Sequence, residues 1–252
     1  MDIKVVRNAT LLLYYNDKTF LIDPFFADKG SMPAFPNTPN QDVNNPLVSL
    51  TSSIEELIDV DAVFVTHLHP DHFDDKAIEM LPKSIPVYAQ NDHDVQTIQE
   101  AGFTNVNTID SIGHYDGIQI TKTGGSHGRG AIIEMTGEVC GIVFHHEEEQ
   151  TLYIAGDTVW VEEMESAIET HDPDVIVVNG GAAQFLEGGP ITMTEEDIHE
   201  TYKAARNAQI VVDHMESLNH CLLKRSELKD YVEKNNMTDR VHVPDDGEVL
   251  SF

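Results

Sequence analysis

The chain has 252 residues, 40% of them hydrophobic, which is enough to bury a substantial core and fits one domain spanning 1–252 better than a disordered polymer. Forty-four acidic side chains against fifteen basic ones leave a formal charge of -29, a field that repels nucleic acid, so no nucleic-acid partner is expected. Two cysteines, Cys140 and Cys221, are too few for a disulfide framework.

The N-terminus "MDIKVVRNATLLLYY" is strand-like and carries no basic region with a cleavage site, and no apolar run reaches the roughly 18 residues that span a bilayer. These features predict a cytoplasmic protein with no membrane partner. Two strands follow in "ATLLLYYNDKTFLIDPFF", joined at Asn16 and Asp17, which tolerate tight hairpin geometry, and closed by Asp23 and Pro24. Ala27 to Pro46, rich in Pro, Asn and Gly without periodicity, predicts a long loop of the kind that covers a site.

The run "DAVFVT" has the all-apolar character of a strand buried on both faces, and "DDKAIEMLP" has helical spacing. "IPVYAQ" predicts a strand and "DVQTIQEAGF" a helix ended by Gly102. "IQITKT", "GAIIEMTG", "VCGIVFHH" and "TLYIAGD" predict four successive antiparallel strands, the last two joined through Glu147 to Gln150. The final hundred residues alternate: helix "VEEMESAIETH", strand "DVIVVNGG", helix "TEEDIHETYKAAR" started by Thr194, strand "QIVVDHM", helix "SELKDYVEKN" capped by Ser226, strand "RVHVP". Meandering strands between βα units suit two sheets packed face to face with helices outside, a layered α/β sandwich.

Directly behind "DAVFVT" stands "HLHPDH", three histidines and an aspartate within six positions. In extended backbone His67 and His69 project to the same side, and where the chain turns toward the helix Asp71 and His72 come round to face them. Neutral imidazole and carboxylate suit borderline divalent ions, and four ligands in one loop imply one full coordination sphere or two ions completed from elsewhere. His127 in "TGGSHGRG", Asp157 in "YIAGDT" and His214 in "VVDHM" each follow an apolar strand, where α/β sheets place ligands.

With those motifs in that order, the sequence resembles the metallo-β-lactamase superfamily over nearly its whole length. The resemblance implies a four-layer αββα sandwich of two mixed β-sheets. It also implies a dinuclear site: His67, His69 and His127 on the first ion, Asp71, His72 and His214 on the second, and Asp157 bridging. Histidine at position 69, where the oxygen-reducing diiron branch has Glu, argues against redox chemistry. "LIDPFF", "SHGRG" and "ITMTEEDI" further resemble the cytosolic lactonase-like branch.

Two divalent cations, zinc foremost with manganese and iron also suited to the donors, would supply a nucleophile at neutral pH by lowering the pKa of bound water from about 15.7 toward roughly 7. The implied reaction is attack by a metal-bridging hydroxide on a small lactone, ester or phosphoester, with Asp71 accepting the proton and His220 a secondary candidate for general acid. Asp23 and Thr66 are candidates to hold the ligand imidazoles. Arg129 is the most suggestive cation near the motifs. "GGSHGRG" is not read as a phosphate loop, because a strand rather than a helix is expected after it. The alternatives are a phosphodiesterase or nuclease of the same fold, a glyoxalase II-like thioesterase, and a non-catalytic metal or metabolite sensor. A small-molecule substrate is expected, and assembly into a homo-oligomer stays open.

Overall fold

The computed structural model describes residues 1–110 and 112–252. Among the described residues fourteen strands form two seven-stranded sheets. In chain order the first half contributes β1 (Asp2–Arg7), β2 (Thr10–Tyr15), β3 (Lys18–Ile22), α1 (Ile54–Ile58), β4 (Ala62–Val65), α2 (Asp75–Met80), β5 (Val87–Ala89), α3 (Asp92–Glu100), β6 (Val106–Thr108) and α4 (Ile109–Ile112). The second half contributes β7 (His114–Tyr115), β8 (Ile118–Thr123), α5 (Ile133–Thr136), β9 (Gly141–His145), β10 (Leu152–Ile154), α6 (Glu162–His171), β11 (Val175–Asn179), α7 (Glu195–Ala204), β12 (Gln209–Asp213), α8 (Arg225–Lys234), β13 (Val241–His242) and β14 (Val249–Ser251).

The sheet orders are β14-β1-β2-β3-β4-β5-β6 and β13-β12-β11-β10-β9-β8-β7. Both are mixed. β1, β2 and β3 run antiparallel, whereas β4 to β6 continue parallel to β3. In the second sheet β8, β9 and β10 alternate direction, and β11 to β13 run parallel to β10. Asn16 and Asp17 close the β2–β3 hairpin with φ of 46° and 59°, the left-handed geometry that hairpin turns need.

Strand alternation builds the layers. Leu11, Leu13, Phe20 and Phe64 face Ile142, Phe144, Ile154 and Val177 across the space between the sheets. Phe64 meets Phe20 and Phe144 edge-on at 5.4 and 5.3 Å, so truncating it to Ala costs about 3–5 kcal/mol. The opposite residues, Leu12, Leu21, Val63 and Val65, pack under α1, α2 and α3 through Leu57, Ala77 and Ile98. On the other outer face Ile176, Val178 and Val212 pack under α6, α7 and α8 through Met164, Ile198 and Leu228. The order of layers is therefore αββα, as the resemblance implies.

Two local expectations are corrected. "GAIIEMTG" is not a strand: Gly130–Ile132 is a single 3-10 turn that runs into α5. Three consecutive apolar residues satisfy either pattern, and here Ile132 alone of them is buried while Ile133 points outward. A helix and not a strand therefore follows "GGSHGRG", as after a phosphate loop, although α5 has only four residues. Ser226 is not the cap of α8; the helix starts one residue earlier and Lys224 is the capping position, its backbone N–H donating to Glu227 Oε2 at 3.0 Å. Thr194 does start α7, within a reciprocal capping box with Asp197. Among the described residues no helix is long and apolar enough to cross a membrane.

Candidate metal centre

Six strand ends open on one edge of the sandwich. Asp23 follows β3, His67 lies just beyond β4, His127 lies beyond β8, Asp157 beyond β10, Asn179 ends β11, and His214 follows β12. The apolar strands therefore carry these polar groups to one place, as open α/β sheets do with ligands.

Gly156 lets Asp157 come close, since a Cβ there would stand 2.5 Å from the Cys140 carbonyl oxygen and φ is +68°. Gly181 allows the β11 loop to pass within reach of the His214 carbonyl, which a Cβ would meet at 2.2 Å. Asp23 (φ 45°) and His214 (φ 54°) themselves hold left-handed backbone, a conformation that costs of order 1 kcal/mol or more for such residues. The His214 N–H is held there by the Asn8 carbonyl at 3.0 Å.

All seven residues singled out as ligands converge. Donor atoms of His67, His69 and His127 lie within 4.8 Å of one another, and so do those of Asp71, His72, Asp157 and His214. Asp157 links the groups: its Oδ2 is 3.9 Å from His67 Nε2, 3.4 Å from His127 Nε2 and 3.3 Å from His72 Nε2, and its Oδ1 is 3.6 Å from His214 Nε2. His67 Nε2 and His69 Nδ1 point at each other across 2.9 Å. Of the seven only His69 is more than slightly exposed.

The donor set fits metal ions on a structural test. An imidazole that ligates a cation needs its other nitrogen tied to an acceptor. His67 Nδ1 is 3.1 Å from Thr66 Oγ1, His72 Nδ1 is 2.9 Å from Asp23 Oδ2, and His127 Nδ1 is 2.8 Å from the Ile191 carbonyl. His72 Nε2 is then a buried nitrogen without a hydrogen-bond partner, aimed between Asp71 and Asp157. Asp23 and Thr66 thus take the supporting places expected of them. His214 Nδ1 faces the Cys221 thiol at 3.6 Å, a weaker contact.

Electrostatics agree with that donor set. Burial drives the His67 imidazole well below its ordinary value, and His127 down to about 4. Burial also opposes charge on His72, yet the carboxylates of Asp157, Asp23 and Asp71 outweigh it and lift His72 well above the ordinary histidine range. His214 is raised in the same way, burial being outweighed chiefly by Asp157. Burial alone would raise Asp157, but His214, His72 and His127 hold it well below the usual carboxylate range. The carboxylates therefore stay ionised and demand positive charge, which divalent cations supply.

Other positions divide. His220 is buried beside the site, its ring edge-on to Phe35 at 4.9 Å, and burial pushes it down to about 4. Arg129 does not reach the site: its guanidinium pairs with Asp197 Oδ1 at 2.5 Å and braces the start of α7. Asn8 and Asn179 escaped the sequence reading. Asn8 Nδ2 donates to the Asp71 carbonyl and to Asp71 Oδ2 at 3.1 and 3.3 Å, and Asn179 Nδ2 donates to Asp157 Oδ1 at 2.5 Å. The only signal for Asn179 is its place at the end of an all-apolar strand, and Asn8 has none beyond a turn-prone "RNAT".

A cavity of about 220 Å³ opens onto the cluster, with His69, Asp71, His127 and Asp157 on its floor. Phe35, Pro36, Met135, Phe185 and Ile191 wall it, His220 contributes a polar edge, and among the described residues no Lys or Arg lines it.

Comparison with known proteins agrees. The beta-lactamase superfamily domain matches residues 18–215. The UPF0173 protein YddR of Bacillus subtilis is 48% identical over the full length of both chains. A UPF0173 metal-dependent hydrolase of Agrobacterium fabrum is 24% identical over the whole of both. The crystal structure of isothiocyanate hydrolase from Delia radicum gut bacteria superposes with a TM-score of 0.96 at 40% identity, covering 100% of this chain and 99% of that one. The chain belongs to the beta-lactamase superfamily, within the UPF0173 family of metal-dependent hydrolases.

Proposed function

We propose that this metal-dependent hydrolase acts in the cytoplasm on small uncharged electrophiles with an apolar substituent, and that isothiocyanates are the substrate class. The observation that carries this reading is the cavity: apolar walls, no cationic side chain, and the ligand cluster on its floor. Phosphorylated substrates call for Lys or Arg, so the phosphoester and phosphodiester readings lose support. The isothiocyanate hydrolase that shares 40% of residues over the full chain lends its substrate to the proposal.

His67, His69 and His127 would hold one divalent ion, Asp71, His72 and His214 a second, with Asp157 shared. Such ions, zinc or manganese or iron, lower the pKa of water from about 15.7 toward roughly 7. In the overall reaction the water oxygen joins the central carbon of R–N=C=S, the carbon–nitrogen bond breaks, both water protons end on nitrogen, and the products are R–NH2 and carbonyl sulfide.

The chain's own residues supply positioning and proton movement. Asp71, fixed by Asn8, stands on the floor where it can accept a proton from water. His220, neutral at pH 7, has a buried Nδ1 without a partner, and a neutral imidazole there donates a hydrogen bond to the departing nitrogen. Phe35, Phe185 and Ile191 exclude water and receive the apolar substituent.

A lactone is the second reading, favoured by the resemblance of "LIDPFF", "SHGRG" and "ITMTEEDI" to the lactonase-like branch and by the same neutral cavity. The test is turnover by metal-reconstituted protein on alkyl isothiocyanates, lactones and a chromogenic phosphodiester, reading amine, acid and nitrophenolate release. Amine release from isothiocyanates at the highest kcat/KM is expected. Activity on the phosphodiester alone would overturn the reading, and silence throughout would favour the sensor.

A further inference from the structure

The loop from Ala27 to Pro46 supplies Phe35, Pro36 and Thr38 to the cavity, yet it contains no helix or ladder that would fix it there. Beside one Met32–Asn45 bridge and a bond from the Leu186 N–H to the Asn37 carbonyl at 2.8 Å, it is pinned by side-chain amides. Asn219, five residues beyond His214 and 1% exposed, is the centre of that network. Its Oδ1 accepts from the Phe35 N–H at 3.2 Å and from Asn45 Nδ2 at 2.9 Å. Its Nδ2 donates to Thr38 Oγ1 at 2.8 Å and to the Pro39 carbonyl at 2.6 Å. Its backbone N–H donates to Asn45 Oδ1 at 2.8 Å, and its carbonyl accepts from Asn40 Nδ2 at 2.9 Å. Every hydrogen-bonding group of one residue is thus spent on the loop.

The roots of the loop are held separately. Arg7, fully buried, donates Nη2 to the Phe25 carbonyl at 2.7 Å and Nη1 to the Val48 carbonyl at 3.2 Å, just outside either end of the segment. The ends would stay in place without Asn219. Its bonds, beside the one from the Leu186 N–H to the Asn37 carbonyl, fix the middle, where Phe35 lies against His220 at 4.9 Å.

On this geometry we propose that Asn219 is a positioning residue: it latches the roof loop so that Phe35 sets the size of substituent the cavity admits. The inference rests on the proposed hydrolysis of apolar electrophiles for its kinetic arm only. Neighbouring His220 touches the substrate; Asn219 acts through Phe35.

The experiment uses the full-length metal-loaded protein and two variants, Asn219→Ala and the gentler Thr38→Val, which removes the Oγ1 that Asn219 and Gln41 both donate to. Hydrogen exchange is read at the Phe35 and Asn45 amides. Turnover is read on methyl and 2-phenylethyl isothiocyanate, and metal content by elemental analysis. Removing the buried side-chain network that holds the Phe35 N–H lets that part of the loop open locally, so exchange at Phe35 should quicken about tenfold or more in Asn219→Ala and less in Thr38→Val. The kcat/KM ratio of the bulky to the small substrate should rise about tenfold, chiefly through KM, with metal content unchanged. Unchanged exchange at Phe35 overturns the latch, and faster exchange with kcat falling equally on both substrates overturns its role in selection. If Asn219→Ala does not fold, Thr38→Val gives both readings. If wild-type protein leaves isothiocyanates untouched, the substrate reading fails, and exchange at Phe35 still decides the latch.

Discussion

Asp23 offers a sharp test of how the proposed second metal position is built. Its Oδ2 accepts from Thr66 Oγ1 at 2.7 Å and from His72 Nδ1 at 2.9 Å, while Oδ1 accepts from the Thr66 N–H at 2.7 Å. Asp23→Asn keeps the shape and the Oδ1 bond but places an NH2 group where Oδ2 stood. His72 Nδ1 must then accept a hydrogen bond, which moves the ring proton to Nε2. Nε2 is the atom aimed at Asp71 and Asp157, at 3.7 and 3.3 Å, and a protonated nitrogen cannot ligate. Losing such a supporting contact typically weakens metal affinity about 10–100-fold. That is about 1.4–2.7 kcal/mol. Competitive titration with a fluorescent chelator should show one weakened step, while the His67, His69 and His127 step changes less. Wild-type affinity at both steps would refute the tautomer argument.

Asp71→Ala should cut turnover about 10²- to 10⁴-fold while the three-histidine position keeps its metal, as checked by kcat and elemental analysis; unchanged turnover would remove Asp71 from proton transfer. His220 is pushed down from 6.5 to about 4, so between those values the unfolded chain binds a proton the folded chain does not, and stability rises with pH. Across that window the contribution is at most about 3 kcal/mol, lost as pH falls, and His220→Gln should flatten the slope of urea stability between pH 4 and 6.5. The charge of -29 destabilises the compact state by self-repulsion, and since added salt shortens the Debye length from about 10 Å at 0.1 M to about 3 Å at 1 M, Tm should climb with sodium chloride; a flat or falling Tm contradicts this.

What was legible in the sequence is what local chemistry encodes. "HLHPDH" behind an apolar strand and His127, Asp157 and His214 after later strands announce ligands, because buried crowding of these groups has few other uses. The alternation of Leu11 to Leu13 and the parallel βα units announce the layers. What stayed hidden depends on tertiary approach. The Ile191 carbonyl behind His127, Asn8 behind Asp71 and Asn179 behind Asp157 are ordinary residues until the fold brings them within hydrogen-bond reach. Arg129 stands near the motifs along the chain, but proximity in sequence says nothing of Asp197, 68 residues away, which claims it. "AIIEM" was misjudged because a run that short has no period to measure. β14, which pairs with β1 through Leu250 and Ile3, is a short edge strand whose partner lies at the opposite end of the sequence.

The proposal turns on seven side chains, carried by four strand ends, forming one paired cation site. Anomalous diffraction from metal-loaded crystals tests it directly. Two peaks about 3.5–4 Å apart are expected, one among His67, His69 and His127, the other among Asp71, His72 and His214, with the Asp157 carboxylate between them. Peaks elsewhere on the molecule, or none among these residues in protein reloaded with zinc, manganese or iron, would contradict it.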